Sequence, residues 1–162
     1  MLQRDREGDG FLHWLSDLFT NPFLLTSLSS WFVAQVLKVI INAIVHKKFI
    51  LERLFGDGGM PSGHSATVSS LAVFTALNYG TASFQFAVCF ILSVIVCHDA
   101  MGVRQETGKQ AVMLNEIIQI LESKDLPEVK LKELVGHTPL QVTMGILIGV
   151  ANAFVMYYWV FS

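Results

Sequence analysis

Residues 23–45 read FLLTSLSSWFVAQVLKVIINAIV, an almost unbroken apolar run with a single charge at Lys38. A helix of about 20 apolar residues is long enough to cross a bilayer. The rest of the chain agrees: 52% of its 162 residues are hydrophobic and 15% are charged, against about 25% charged in an average soluble domain. The sequence therefore predicts an integral membrane protein and excludes a disordered chain.

Three further apolar segments predict the rest of a helical bundle. Residues 140–161 are long enough to span the bilayer, and residues 83–96 are apolar and extend towards His98. Residues 66–77 are shorter and contain serine and threonine, so we expect a helix inside the bundle that the other helices shield from lipid. The prediction is a single all-α domain, residues 1–162, with about four main spans.

Two amphipathic segments accompany these spans. In residues 1–22 apolar side chains recur at helical spacing, which predicts an N-terminal helix lying in the membrane interface. Residues 105–135 are polar and charged, but one apolar stripe within them predicts an amphipathic insert. The stripe consists of Ala111, Leu114, Ile117, Ile118 and Leu121.

The lysines and arginines are distributed unevenly between the loops. Eight of the 11 fall in residues 46–64 and 104–137, on one side of the predicted membrane, and two precede the first span. Because positively charged loops stay in the cytoplasm, we expect these loops to face the cytoplasm from a plasma or inner membrane. The formal net charge of −2 predicts no nucleic-acid partner.

Small and polar residues inside the spans predict contacts between helices. Gly145 and Gly149 form a small-xxx-small pair, which favours packing of the last span within its own bundle. Asn152 is expected to form an interhelical hydrogen bond. Cys89 and Cys97 lie about 12 Å apart along one helix, too far for a disulfide, so we expect both to be packing residues.

A glycine-rich loop precedes the helix predicted over residues 66–77. It reads GDGGMPSGHS at residues 56–65. Glycines let backbone N–H groups approach an anion, and a helix N-terminus favours negative charge. Ser62 adds a hydroxyl donor, and His64 can transfer a proton near neutral pH. The loop therefore favours a phosphate-binding site.

Three strings carry a resemblance to a known family: GGMPSGHSA at 58–66, DAMGVR at 99–104 and GHTPL at 136–140. They resemble the divergent membrane branch of the type-2 phosphatidic acid phosphatase and vanadium haloperoxidase superfamily, over about residues 30–155. The resemblance implies His137 as the nucleophile that attacks phosphorus and His64 as the general acid. It also implies a set of donors to the phosphoryl oxygens, namely Ser62, Gly63, Arg53 and Arg104.

The first motif of the superfamily, Lys, six residues, then Arg-Pro, is altered here. Arg53 is followed by Leu54, and His46 stands where the spacing places Lys. The missing cation is then supplied by another lysine in or before the loop. The candidates are Lys38, Lys47 and Lys48.

Among these lysines, Lys38 belongs to a polar stripe. Gln35 and Asn42 share its helix face, and a charge within a span usually faces a bundle interior or an aqueous cavity. We therefore favour Lys38 in the site. Lys47 and Lys48 are more typical of cytoplasmic-loop cations, and Lys48 is retained as a candidate for substrate binding.

The third motif is also altered. Arg104 and His137 lie 33 residues apart, where the superfamily has six, so the polar segment is an insertion of about 27 residues, which folding tolerates. Gln141 stands where the superfamily has Asp. An amide can fix the tautomer of an imidazole but cannot stabilise its charge, and the analogous Asp-to-Asn change in a serine triad costs ~10⁴ in rate.

Together these residues predict hydrolysis of phosphate monoesters or pyrophosphates, with lipid-linked esters the favoured class, through a phosphohistidine intermediate. The expected partners are that phosphate ester and the bilayer; the chemistry requires no metal and no cofactor, and the oligomeric state is left open. One alternative is a catalytically silent phosphate-lipid-binding or scaffold protein. Another is a small transporter, which the Lys38 stripe would suit, although the sequence has no visible inverted repeat.

Overall fold

The computed structural model describes residues 4–46, 59–121, 131 and 136–161 of the chain. The regular secondary structure of these described residues is entirely helical, which confirms the predicted fold class, and a π-helical stretch, Met156–Val160, extends the last helix. The helices are α1 (Arg4–Thr20), α2 (Pro22–His46), α3 (Gly63–Tyr79), α4 (Phe84–Met101), α5 (Val103–Leu121) and α6 (Pro139–Val155).

Three helical stretches of the described chain are long and apolar enough to cross a membrane: Pro22–Val45, Phe84–Ile120 and Pro139–Val160. The second of these runs through α4 into α5, beyond the end predicted for that span. Helix α3 has 17 residues and packs against α2, α4 and α6. The protein is therefore an integral membrane helical bundle built around a short central helix.

Polar side chains of α3 lie in the interior of the bundle, as the sequence predicts. Ser65, Ser70 and Thr75 are almost completely buried. Hydroxyls along α3 donate to carbonyl oxygens of their own helix, as Thr75 Oγ1 does to Leu71 at 2.7 Å. These bonds satisfy the hydroxyls where the bilayer offers no water.

Hydroxyl groups of the neighbouring helices also bond to α3. Ser30 Oγ in α2 donates to the carbonyl oxygen of Ala66 at 3.0 Å. Ser93 Oγ in α4 donates to the carbonyl oxygen of Val68 at 2.8 Å. The central helix is thus tied to α2 and α4 through its backbone.

Two glycines bring α6 into close contact with α3. A Cβ atom at Gly145 would collide with the carbonyl oxygen of Ser62, and one at Gly149 would collide with the carbonyl oxygen of Ala66. Only glycine allows the two backbones to approach this closely. The small-xxx-small pair therefore packs within the bundle, as predicted.

Both cysteines are free, as expected. Cys97 is buried, and Cys89 is partly buried and accepts a hydrogen bond from Thr75 Oγ1 across 3.7 Å. The two side chains therefore pack against the central helix.

An aromatic cluster joins α2, α3 and the π-helical end of the chain. Its centre is Phe74, which is almost completely buried. The Phe74 ring lies 5.1 Å from that of Phe23, 6.2 Å from that of Tyr157 and 5.9 Å from that of Phe161. Such edge-to-face pairs add to the packing of these three elements.

Asn152 forms the predicted interhelical hydrogen bonds. Its Nδ2 atom donates to the carbonyl oxygen of Thr26 at 3.1 Å and to Ser29 Oγ at 3.0 Å. We expect Asn152→Leu to destabilise the bundle by about 1 kcal/mol, the usual size of such bonds in membranes. The measurement is thermal unfolding in detergent.

A matched control for Asn152 lies on the same helix. The Thr143 side chain is exposed, and its hydroxyl donates to the carbonyl oxygen of Pro139, within α6. Thr143→Val is therefore expected to leave the unfolding temperature nearly unchanged. An Asn152→Leu protein as stable as the wild type would show that these bonds add nothing to the contact between α2 and α6.

Candidate functional site

Two backbone hydrogen bonds bring distant parts of the chain together at one end of the bundle. The N–H of Ser62 donates to the carbonyl oxygen of Gln141 at 3.1 Å, and the N–H of His137 donates to the carbonyl oxygen of Ala100 at 3.0 Å. The starts of α3 and α6 therefore meet, and the end of α4 lies beside them. These are the three segments whose strings carry the family resemblance.

Ser62 shapes the start of α3. It is the N-cap residue of that helix, and its Oγ atom accepts hydrogen bonds from the Ser65 N–H at 3.4 Å and from Ser65 Oγ at 3.0 Å. A serine hydroxyl can donate one hydrogen bond as well as accept two. Ser62 is fully buried, so its hydroxyl group lies inside the bundle and not in bulk water.

Lys38 lies against the loop that precedes Ser62. The lysine is 5% exposed, and a Cβ atom at Gly59 would lie 3.5 Å from its Cγ and 3.6 Å from its Cδ. Gly59 has φ +90, a left-handed conformation that favours glycine. The buried cation of α2 and the glycine-rich loop are therefore in direct contact.

The polar stripe predicted on α2 faces the interior of the bundle. Gln35 and Asn42 are both buried, like Lys38 between them. A Cβ atom at Gly63 would lie 3.9 Å from Gln35 Cδ and 3.3 Å from Trp31 Cδ1. Gln35 thus lies beside the first residue of α3, a position that its place in the stripe alone does not reveal.

The two imidazoles differ in their exposure. His137 is 7% exposed and follows Gly136, which has φ +94, whereas His64 is exposed in the first turn of α3. Gly136 permits a left-handed turn immediately before His137. One imidazole is therefore held inside the bundle and the other is accessible at its surface.

Gln141 caps α6. Its Oε1 atom accepts a hydrogen bond from the N–H of Thr138 at 3.0 Å, and Thr138 Oγ1 accepts one from the N–H of Gln141 at 3.4 Å. This reciprocal pair is a capping box. The spacing Thr-x-x-Gln in the sequence indicates such a box. The structure therefore gives the Gln141 amide a defined role in forming the turn that follows His137.

Four further candidate residues, all basic, lie after α4 or outside the described part of the chain. Arg104 lies in the first turn of α5, just after the break between α4 and α5 at Gly102. Arg53, Lys47 and Lys48 lie outside the described residues, so their roles stay predictions. The described part of the site consists of groups from α2, α3 and the start of α6, with the end of α4 beside them.

Comparison with known proteins agrees with the resemblance in these strings. The model of a family described as the divergent PAP2 family matches residues 19–152. A curated relative, the uncharacterized membrane protein YuiD of Bacillus subtilis strain 168, is 41% identical over 155 residues, which cover 88% of this chain and 98% of the relative. No solved structure matches the chain.

Proposed function

This chain belongs to the divergent PAP2 family of membrane proteins, and we propose that it hydrolyses phosphate monoesters or pyrophosphates carried on lipids. The observation that carries the proposal is the pair of backbone bonds that joins the starts of α3 and α6. They place a glycine-rich helix N-terminus next to the segment that holds His137. A phosphate ester bound at the start of α3 would therefore lie close to the segment that holds His137.

The binding half of the proposed site uses the start of α3 and the cation from α2. The N-terminal N–H groups of a helix and its dipole favour a phosphate group. The Lys38 side chain lies beside Gly59. It adds a positive charge in a region of low dielectric, where its attraction to an anion is strong. Arg53 and Arg104 are proposed to complete the cluster of cations.

The reacting half consists of the two imidazoles. In the proposed first step a ring nitrogen of His137 attacks phosphorus, a nitrogen–phosphorus bond forms and the bond to the ester oxygen breaks. His64 gives its proton to that leaving oxygen. In the second step water attacks phosphorus, the bond to His137 breaks, and His64 accepts a proton from the water. The products are inorganic phosphate and, from a monoester, the alcohol or, from a pyrophosphate, the lipid monophosphate.

A lipid-linked substrate suits the position of the site. The outer surface of α4 exposes large apolar side chains, including Ile91 and Ile95, as expected for a helix that faces acyl chains. The candidate site lies at one end of this bundle. A phosphorylated headgroup would therefore reach the site while its tails stay in the bilayer.

The test of this proposal is phosphate release by the purified chain in lipid nanodiscs. The panel contains phosphatidic acid, a polyprenyl phosphate, a polyprenyl pyrophosphate and a water-soluble phosphate monoester. We expect release from at least one of the lipid substrates and much slower release from the soluble ester. Release from none of the four would overturn the proposed activity.

Removal of the buried charge should weaken the reaction strongly. We expect Lys38→Met to lower kcat/KM for the best lipid substrate by ~10²-fold, the usual effect of removing one group that stabilises developing negative charge. The fold should survive, because a buried charge is replaced by an apolar side chain of similar length. The measurement is steady-state phosphate release.

Lys109 offers the control for Lys38. Its ammonium group lies on α5, is exposed and pairs with Glu106. Lys109→Met should leave kcat/KM within about twofold of the wild type, since exposed ion pairs contribute little. Equal effects of the two substitutions would argue against Lys38 as a phosphate-binding group.

A second candidate function is phosphate-lipid binding without turnover. The position that the superfamily fills with Asp holds Gln141, whose amide oxygen takes part in the capping box. An amide there cannot stabilise an imidazolium by charge. Saturable binding of a lipid phosphate with no release of phosphate would favour this second function.

A further inference from the structure

Gln35 contains a buried hydrogen-bond acceptor that the proposed mechanism does not use. The side chain is 6% exposed, and its Oε1 atom accepts no hydrogen bond within the described part of the chain. A buried polar atom without a partner costs free energy, and the cost is high in a medium of low dielectric. A ligand with a hydrogen-bond donor would satisfy such an atom.

The neighbours of Gln35 define where that ligand would lie. A Cβ atom added at Gly63, the first residue of α3, would lie 3.9 Å from Gln35 Cδ. Lys38 lies three residues further along α2, which is about 4.5 Å of helix rise, and it contacts Gly59. The amide therefore lies beside the same helix start that is proposed to hold the phosphate.

Other groups around this helix start can donate hydrogen bonds. They are the N–H groups of the first turn, the Lys38 ammonium group and the Ser62 hydroxyl, all of which attract an anionic oxygen. An amide oxygen is an acceptor and repels an ionised oxygen. It attracts only an oxygen that carries a hydrogen.

We propose that Gln35 makes the site select a phosphoryl group that keeps one O–H, through a hydrogen bond from that O–H to Gln35 Oε1. The inference deepens the proposed function, on which it rests, by naming the protonation state that the site prefers. Inorganic phosphate offers this donor even as the dianion, and a monoester or a terminal pyrophosphate group offers it when singly protonated. Sulfate, which has the same shape, carries no hydrogen at neutral pH.

The experiment compares binding of inorganic phosphate and sulfate to the purified chain in nanodiscs, by calorimetry at about pH 8. Both anions then carry close to two negative charges, because the second ionisation of a phosphate lies near pH 6 to 7, and only phosphate has an O–H. We expect the wild type to bind phosphate about tenfold more tightly than sulfate, the factor that one hydrogen bond of about 1.4 kcal/mol gives.

The variant Gln35→Met removes the acceptor and keeps the length of the side chain. It should bring the two dissociation constants within about threefold of each other. Because it replaces an unsatisfied buried amide with an apolar group, it should also unfold at the same temperature as the wild type or higher. A loss of selectivity in this variant is therefore separable from a loss of fold.

Thr26→Val is the matched control on the same helix. Thr26 is fully buried, and its hydroxyl donates to the carbonyl oxygen of Pro22, nine residues from Gln35 along α2. This variant should keep the tenfold preference for phosphate. A preference that disappears in both variants would indicate a general disturbance of α2 and would contradict the inference.

The outcomes separate this inference from the proposed function. A wild type that binds phosphate and sulfate equally well would overturn the role of Gln35 and leave phosphate binding intact. A preference that persists in Gln35→Met would do the same. A wild type that binds neither anion and releases no phosphate from lipid would overturn the proposed function and, with it, the inference.

Discussion

Replacing His137 with alanine is expected to abolish phosphate release, with kcat lower by a factor on the order of 10³ or more. In the proposed mechanism this side chain forms the covalent bond to phosphorus, so no other step can proceed without it. The measurement is single-turnover phosphate release from the best lipid substrate. Mass spectrometry after a neutral quench should find a phosphoryl group on His137 in the wild type.

His13 provides the control for that substitution. It lies on α1, it is exposed, and it precedes the bundle helices that form the candidate site. His13→Ala should release phosphate at the wild-type rate. Full activity in His137→Ala, or a phosphoryl group that maps to another residue, would show that the nucleophile lies elsewhere.

The second large effect is expected at Gly149, where α6 touches the central helix. A Cβ atom there would collide with Ser69 Oγ and the carbonyl oxygen of Ala66, and it would lie 3.0 Å from the backbone nitrogen of Ser70. Two of these three atoms belong to a helix backbone and cannot move aside alone. Gly149→Ala should therefore lower the free energy of unfolding by about 1–3 kcal/mol, and Gly149→Leu should prevent the folded protein from accumulating.

Gly10 is the matched control for Gly149. It also lies within a helix, α1, but a Cβ atom there would meet nothing within 4 Å. Alanine forms helices better than glycine by about 1 kcal/mol, so Gly10→Ala should be neutral or stabilising. Thermal unfolding in detergent and the yield of monodisperse protein measure both substitutions. Equal stability of the two alanine variants would show that α6 can move away from α3 at little cost.

The burial of Lys38 shows how much of the site could be predicted from the sequence. A single charge in an apolar run, with amides three residues before and four residues after it, predicts a stripe that faces the interior. The structure confirms the burial of all three side chains. The contact of Lys38 with Gly59 was not predictable, because helical periodicity gives the face of a helix but not its neighbour.

Gln141 has a local role that comparison with the superfamily motif does not reveal. Compared with the superfamily motif, this amide is a substitution for Asp. Compared with its own neighbours, it completes the capping box with Thr138, which the sequence Thr-Pro-Leu-Gln indicates by spacing alone. Its backbone carbonyl oxygen, in contrast, accepts a hydrogen bond from the N–H of Ser62. No local sequence pattern reveals a bond between residues so far apart in the chain.

The sequence by itself determined the features that depend on neighbouring residues: apolar runs long enough to span a bilayer, the polar face of α2, the helix caps and the glycine-rich loop. Only the tertiary structure decided which of these meet. The close approach of α6 to α3 at Gly145 and Gly149 sets the register that brings His137 and Ser62 to the same end of the bundle. That register follows from steric fit between helices distant in sequence, and such a fit is a property of the assembled bundle.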